Sequence, residues 1–395
     1  MTAATRLGRN LKLFYAFRLL ATSYLFVPIF MLFQADRGLS FFERLALGGI
    51  YSAVIILVEV PTGVFADRLG RRRSMMWGAV AMVASCLLAT RANGFIEFAI
   101  AESLAALSMA LVSGADSAYL YDLLAAHDRA HEYPRRESVA SAWHLLGSAL
   151  AFAGGGALAL VHIGLPYLVT AGVAAVAAVL ACLLEEDVEP HDPAVARGAG
   201  WWHQTFAALE EVARNGKLAW LVGYSAVVFA LVRATIYVYQ PYLAERGLGT
   251  LEIGLLFAGV NLIAAMVSLR TWQLRTAFGD DKLLWGLLAV LGVSFIGLAS
   301  AGAGPWMLAL LFVQAVASGI YSPLTKPLLN REIRSENRAA VLSVESMARR
   351  AAIGVFAPLV GLYGQTNVMF LCGAVGLAGL VILAFARMRL RAATS

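Results

Sequence analysis

Apolar stretches of about 20 residues recur along the whole chain, each long enough to cross roughly 30 Å of hydrocarbon as a helix. Within lipid every backbone N–H and C=O must be satisfied internally, so such stretches fold as helices. The composition agrees: of 395 residues 60% are hydrophobic and 14% charged, and the mean hydropathy is +0.73, outside the range of soluble domains. The first stretch, near 11–33, is too long for a signal-peptide core and lacks a small-residue cleavage pattern, so it reads as a retained span. The cysteines, Cys86, Cys182 and Cys372, all fall in apolar segments without ligand spacing, which implies neither a disulfide framework nor a metal site.

Span boundaries fall near 11–33, 42–65, 74–93, 95–120, 138–161, 166–184, 217–243, 251–273, 283–302, 304–326, 338–362 and 366–387. The expected fold is an all-α membrane protein of twelve transmembrane helices. A cytoplasmic N-terminus puts Arg6, Arg9, Lys12, the cluster from Arg68 to Arg73, Arg129, Arg135, Arg136, the run from Lys326 to Arg338 and the tail from Arg387 to Arg391 on one side. The other side receives only Arg37, Arg44, Arg91 and Arg246. By the positive-inside rule both termini are expected in the cytoplasm, with the chain in a bacterial inner membrane. The net charge of +6 is spread over short loops and leaves no nucleic-acid footprint.

After the sixth span the composition shifts to Glu185-Glu186-Asp187-Val188-Glu189-Pro190 and a Gly/Ala-rich stretch. This divides the chain into a six-helix bundle over 1–184, a cytoplasmic linker over 185–216 and a second bundle over 217–395. In the linker Trp202, Phe206, Leu209 and Val212 recur at helical spacing, as in a helix lying along the interface or a connector with headgroup-level tryptophans. The bundles repeat each other. Arg37-Gly38-Leu39 with Glu43 returns as Arg246-Gly247-Leu248 with Glu252; Ser113-Gly114, Ser117 and Leu123-Leu124 return as Ser318-Gly319, Ser322 and Leu328-Leu329. Two matches at nearly constant offset predict two pseudo-symmetric six-helix halves.

Ionisable residues inside spans are costly and mark function by default. They are Arg18, Glu59, Glu102, Asp116, His144, Arg233, Glu345, Arg349 and Arg350, while helices 3, 6, 9 and 12 carry none and can face lipid. Polar residues align in stripes: Arg233, Tyr237 and Gln240 on helix 7; Glu102, Met109, Ser113 and Asp116 on helix 4; Gln314, Ser318 and Tyr321 on helix 10. Arg18, Arg233, Tyr237, Gln240, Gln314, Tyr321 and Arg349 are the expected substrate-binding groups, and Glu102, Asp116 and Glu59 the expected proton-coupling groups. Arg18 lies only about 10 Å from the cytoplasmic end and can equally snorkel. Glu345 and Arg349, at i,i+4, can pair with each other. His144 reads as a packing residue, and the Gly154-Gly155-Gly156 run as a close-packing surface, not a phosphate loop.

Between helices 2 and 3 stands Gly63-Val64-Phe65-Ala66-Asp67-Arg68-Leu69-Gly70-Arg71-Arg72. This resembles the signature loop of the major facilitator superfamily, and the resemblance extends over the chain. It implies an alternating-access transporter with helices 1, 4, 7 and 10 lining the path, and a gating loop formed by Gly63, Asp67, Arg68, Gly70, Arg71 and Arg72. The second half keeps the turn, Gly279-Asp280-Asp281-Lys282, without the loop's arginines, so the latch is expected on one side only. The runs Glu59-Val60-Pro61-Thr62-Gly63 and Ser113 to Asp122 resemble bacterial exporters of drugs or metabolites. The chain departs from proton-coupled drug antiporters of that superfamily in carrying Glu102 where they carry an arginine, and in lacking their glycine-proline pair in helix 5.

The function expected from these features is secondary active transport of a small organic solute, as efflux coupled to protons. Import of an organic anion, or a non-transporting sensor or lipid-handling role on the same fold, are the alternatives. No protease, esterase or nucleotide-binding motif is present, so the chain is not read as an enzyme. The expected partners are a small-molecule substrate, membrane lipid and protons as coupling ion. No cofactor, catalytic residue, metal or nucleic acid is implied, and a monomer is expected.

Overall fold

The computed structural model describes residues 3–185, 201–302, 304–333, 338–365 and 367–394, so residues 186–200 of the expected linker lie outside it. Fifteen α-helices occur among the described residues. The first eight are α1 (Ala3–Leu20), α2 (Phe30–Asp36), α3 (Phe41–Leu69), α4 (Arg71–Arg91), α5 (Phe95–Val112), α6 (Ala115–Ala125), α7 (Tyr133–Val161) and α8 (Leu165–Leu183). They are followed by α9 (Trp201–Arg214), α10 (Gly216–Ala244), α11 (Thr250–Phe278), α12 (Asp280–Ser300), α13 (Pro305–Glu332), α14 (Arg338–Leu362) and α15 (Val368–Thr394).

By length and composition, ten segments among the described residues can cross a membrane. The expected first and eleventh spans are not among these ten. The first is broken into α1 and α2, and the eleventh, α14, carries Glu345, Arg349 and Arg350.

Two breaks depart from the continuous helices expected near 11–33 and 95–120. At the first, Thr22 Oγ1 and Ser23 Oγ donate to the carbonyls of Arg18 and Leu19, taking up the end of α1 locally. The irregular stretch that follows is fixed by the Leu25 amide, which donates to Thr170 Oγ1 of α8 at 3.1 Å. It also lies against α7 so closely that a Cβ added to Gly155 would stand 1.8 Å from the Leu25 carbonyl oxygen. The glycine run of helix 5 therefore seats the broken first span. At the second break Gly114 has φ 86°, a left-handed conformation that ends α5 and restarts the chain as α6. The equivalent Gly319 sits inside the continuous α13, where its bare Cα faces the Ala264 carbonyl of α11. One duplicated dipeptide does two jobs.

The chain forms two compact units. The first holds residues 1–39, 50–198 and 249–258; the second holds 40–49, 199–248 and 259–395. In the first, Phe14, Phe17, Met75, Leu120 and Leu123 form a buried core between α1, α4 and α6. Its lower rim is tied at Glu185, which receives Arg9 at 2.7 Å and Asn10 at 3.0 Å, while Tyr119 donates to its carbonyl at 2.8 Å. In the second, Trp220 donates to the Leu383 carbonyl at 2.8 Å and Tyr224 to that of Leu284, joining α10 to α15 and α12. Arg44, read from sequence as an outer-face topology charge, is buried there and donates to Gln365 at 3.1 Å, which donates on to Glu245 at 2.7 Å. Leu168, Val176 and Val179 of α8 and Val381, Ile382 and Phe385 of α15 are exposed, the apolar faces expected of lipid-facing helices.

Candidate functional site

In the first unit the two helix breaks meet a buried ion pair. Arg18 lies in the last turn of α1 and Asp116 in the first turn of α6, and the two side chains, 12% and 8% exposed, form a salt bridge. A helix C-terminus favours a cation and an N-terminus an anion, so each break supplies a dipole end suited to the charge it carries. That is how charged groups are accommodated in a span whose uninterrupted form would offer no such ends. Asp116 Oδ1 also accepts from the Ser117 amide at 2.7 Å. Glu137 of α7 completes the group: Arg18 Nη2 stands 3.6 Å from Glu137 Oε1, which accepts from Ser117 Oγ at 3.1 Å. Arg18 is therefore paired and does not snorkel.

Glu137 was not among the candidates, because the fifth span was drawn from 138. The helix begins at Tyr133, with Pro134 in its first turn. A proline after Arg129 to Glu132 signals that start, and it puts Glu137 two turns before His144. His144 Nδ1 is buried without a hydrogen-bond partner among the described residues.

Glu102 lies elsewhere in the same unit. The expected stripe from Glu102 to Asp116 is interrupted at Gly114, so the two acids sit on separate helices, α5 and α6, in separate surroundings. Glu102 accepts from Gln34 Nε2 of α2 at 3.2 Å, and no basic group pairs with it among the described residues. Tyr167 is nearby, stacked on Phe26 and tilted against Phe33 with centroids 4.7 and 4.8 Å away, and its hydroxyl finds no partner among the described residues. Glu59 lies mid-way along α3, where Thr62 Oγ1 donates to its carbonyl.

In the second unit Ser225 of α10, Tyr321 of α13 and Glu345 of α14 form a buried network: Ser225 Oγ bonds Tyr321 Oη at 2.8 Å and donates to Glu345. Glu345 pairs with Arg349 at 2.8 Å, one turn on, and the Arg349 guanidinium lies over Phe229. Gln314 joins α12 and α10 through Ser294 at 2.9 Å and Tyr239. Of the helix 7 stripe, Gln240 is fully buried and donates to the Ile236 carbonyl, and Tyr237 is buried against Gly48. Arg233, by contrast, is half-buried and has no hydrogen bond or ion pair among the described residues. Gln314, Tyr321, Gln240 and Arg349 are thus engaged within the unit, and Arg233 is the candidate with donors to spare.

The signature loop closes on itself. Gly70 has φ 97°, Asp67 pairs with Arg71 at 2.6 Å, and Arg71 Nε stands 3.9 Å from Asp122 of α6. Arg72 donates to the Leu184 carbonyl at 3.0 Å, Arg68 is exposed, and Gly63 has open space around it. The second half was expected to lack the basic partners. It has them in reverse order: Gly279 has φ 81°, and Arg275, before the turn, grips Asp280, after it, through Nε at 2.7 Å and Nη2 at 3.0 Å, with Arg331 of α13 at 3.8 Å. An acid–base–acid triad in one half is answered by a base–acid–base triad in the other.

Two units of membrane-length helices, each with a buried polar network and a charged turn between its second and third long helices, define a multi-pass membrane transporter. The sequence model of the Major Facilitator Superfamily matches residues 13–299, and the chain belongs to that family. A comparison with curated proteins finds no significant match. Among solved structures, a mutant of the nucleoside transporter NupG aligns over 96% of this chain and 99% of its own, with TM-score 0.82 at 10% identity. The peptide transporter POT in complex with sulfate aligns over 95% and 94%, with TM-score 0.74 at 15% identity. A POT family transporter in complex with 5-aminolevulinic acid aligns over 97% and 96%, with TM-score 0.72 at 14% identity. At these identities the likeness is one of fold.

Proposed function

We propose that this secondary transporter exports a small organic solute in exchange for protons, by alternating access of twelve transmembrane helices in two halves, with both termini and the linker in the cytoplasm. The observation that carries the proton reading is Glu102, a carboxyl in a membrane-length helix whose hydrogen-bond partner is the neutral Gln34 and which no cation pairs with among the described residues. Such a group exists in the membrane either neutral or newly charged, and exchanging between the two is what a coupling site does. Asp116, held by Arg18, and Glu59 are the further titrating groups of this reading. The outward direction rests on the likeness of the Glu59 to Gly63 and Ser113 to Asp122 runs to exporters.

A second reading, import of an organic anion, is favoured by Arg233. A guanidinium stays charged at any physiological pH, and inside a span it calls for an anion; among the described residues it has none. Purified protein in liposomes, given an inside-acid or inside-alkaline gradient and a panel of anionic, cationic and neutral solutes, tests both. Solute movement opposite to the proton gradient supports export by exchange. Movement with it, restricted to anions, supports the second reading.

A further inference from the structure

Three oxygen-bearing side chains of the first unit converge from three helices, away from the node around Arg18. α5 and α8 both pack on α4, and Phe33 of α2 lies against both, edge to face with Phe98 at 5.9 Å and tilted on Tyr167 at 4.8 Å. The next residue of α2, Gln34, thereby meets Glu102 of α5, and Tyr167 of α8 comes within electrostatic reach of the same carboxyl. Gln34 is 0% exposed and Tyr167 4%. Each keeps a buried polar atom without a partner among the described residues: the amide Oε1, since Nε2 is spent on Glu102 at 3.2 Å, and the phenol hydroxyl. Cys86 of α4 is a further titratable group close to this carboxyl. Arg37, three residues after Gln34, is engaged elsewhere, donating to Asn93 Oδ1 at 3.0 Å and to the Thr90 carbonyl at 3.2 Å.

A carboxylate without a cation, an amide oxygen without a donor and a hydroxyl without a partner are each costly to bury, and together they call for a bound group. A water molecule bridges the two neutral atoms but leaves the charge. A monovalent cation takes all three oxygens as ligands and cancels the single negative charge. A divalent ion would keep one charge in excess, and magnesium also demands a near-ideal octahedron and gives up its waters reluctantly. Carboxylate, carbonyl and hydroxyl oxygens are hard donors, which suits an alkali cation and not a soft transition metal. Glu102 is only partly buried, which gives an ion access to the carboxylate.

We propose that Glu102, Gln34 Oε1 and the Tyr167 hydroxyl form a binding site for a sodium ion. The carboxylate supplies the charge, and Gln34 and Tyr167 supply neutral ligands held in place by the Phe26, Phe33 and Phe98 rings. Glu102 is also the proton carrier of the transport reading, so ion and proton occupy it in turn. The site rests on that reading for its role in coupling and not for the binding itself.

The test is equilibrium binding of radiolabelled sodium to the full chain in detergent, at constant ionic strength made up with choline chloride. Binding should saturate, and unlabelled sodium chloride should displace the label at least about tenfold better than choline chloride or magnesium chloride does. Glu102→Gln should lose about tenfold or more in sodium affinity, and Tyr167→Phe, which removes one neutral ligand, should weaken it several-fold. The proposal is overturned if no saturable binding is found, as for a site that holds water alone, if magnesium displaces the label as well as sodium does, or if Glu102→Gln binds sodium like the wild type. If Glu102→Gln does not elute as a folded monodisperse species, Tyr167→Phe decides, and an unchanged affinity there overturns it. Proton-driven transport by the wild type is measured separately in liposomes free of sodium. Loss of the sodium site leaves that transport reading standing, and absence of any transport removes the reading and not the binding result.

Discussion

Asp116 and Tyr321 occupy equivalent positions of the duplicated sequence, three residues after Ser113 and Ser318, and each is bonded by a side chain from the first long helix of its own half, Arg18 and Ser225. Helix 5 and its counterpart α14 then add an acid to each group, Glu137 and Glu345. Each of the two units thus holds a three-helix polar node, and the two nodes differ in chemistry. In the first half the node is ionic and includes an acid oxygen without a partner; in the second it is built on hydroxyls, with its acid neutralised by Arg349 one turn away.

Removing the cation of the first node should be more damaging than removing both members of its ion pair. Arg18→Ala leaves Asp116 and Glu137 buried without compensation, a loss of about 3–5 kcal/mol where a buried pair is broken from one side. The Arg18→Ala, Asp116→Asn double variant should recover part of this. Thermal unfolding in detergent, monitored for all three proteins, checks the order; a double variant no more stable than Arg18→Ala would show that the pair is incidental to the fold.

The packing of helix 5 on the broken first span gives a prediction with an internal control. Gly155→Ala would place a methyl 1.8 Å from the Leu25 carbonyl oxygen, which is backbone and cannot swing away. Overpacking of this kind costs about 1–3 kcal/mol or more, and expression of folded protein should fall accordingly. Gly172→Ala in α8, with open space around it, should be neutral or slightly stabilising. Equal behaviour of the two variants would refute the seating role of the glycine run.

The two charged turns differ in a way that single substitutions can expose. Arg71 opens α4, the unfavourable end for a cation, and depends on Asp67 and Asp122; Asp280 opens α12, the favourable end for an anion, and has Arg275 and Arg331 besides. Asp67→Asn should therefore destabilise its turn more than Asp280→Asn does, the latter by about 1–2 kcal/mol. Hydrogen exchange of the α3–α4 and α11–α12 turns reads this directly. A charge swap, Arg275→Asp with Asp280→Arg, should rescue only partly, because it puts a cation at a helix N-terminus beside Arg331.

The topology makes a separate prediction. Single cysteines placed in the 186–200 linker of a chain cleared of Cys86, Cys182 and Cys372 should resist a membrane-impermeant thiol reagent added outside, while cysteines at positions 38 and 247 should react. Strong labelling of the linker from outside would invert the orientation read from the arginines.

Much of this was legible in the sequence because membrane burial imposes a single strong signal, a 20-residue apolar period, and because the signature turn needs glycine at a fixed place. The all-helical fold and the family follow from it; the i,i+4 spacing of Glu345 and Arg349 offered their pairing as one reading, and Arg18 stood open between snorkelling and burial. What escaped is local. Hydropathy averages over a window, so it could not see that Thr22, Ser23 and Gly114 end helices inside spans and thereby separate Glu102 from Asp116. Stripes drawn on ideal helices also could not tell that Gln240 and Gln314 spend their donors within their own unit, leaving Arg233 apart. Arg275 was missed because the loop was read forwards from its glycine, and its partner comes before it.

Arg233 separates the two transport readings. Lysine lacks the planar fork of the guanidinium, so Arg233→Lys should weaken binding of an anionic solute about tenfold or more if Arg233 grips it bidentately. Flux of cationic solutes should be little affected. The converse pattern, unchanged anion binding by the lysine variant, would remove the organic-anion reading.

The central claim, that carboxylates in the first unit couple solute movement to protons, is tested most directly by Glu102→Gln in liposomes. Two fluxes are compared on the same vesicles: solute accumulation driven by an imposed pH gradient, and solute exchange with no gradient. The account predicts that the wild type shows both and that Glu102→Gln keeps exchange while losing gradient-driven accumulation, because the glutamine keeps the bond to Gln34 without a proton to carry. Accumulation against a gradient by the Glu102→Gln protein at the wild-type rate, or a wild type indifferent to the gradient, would contradict it.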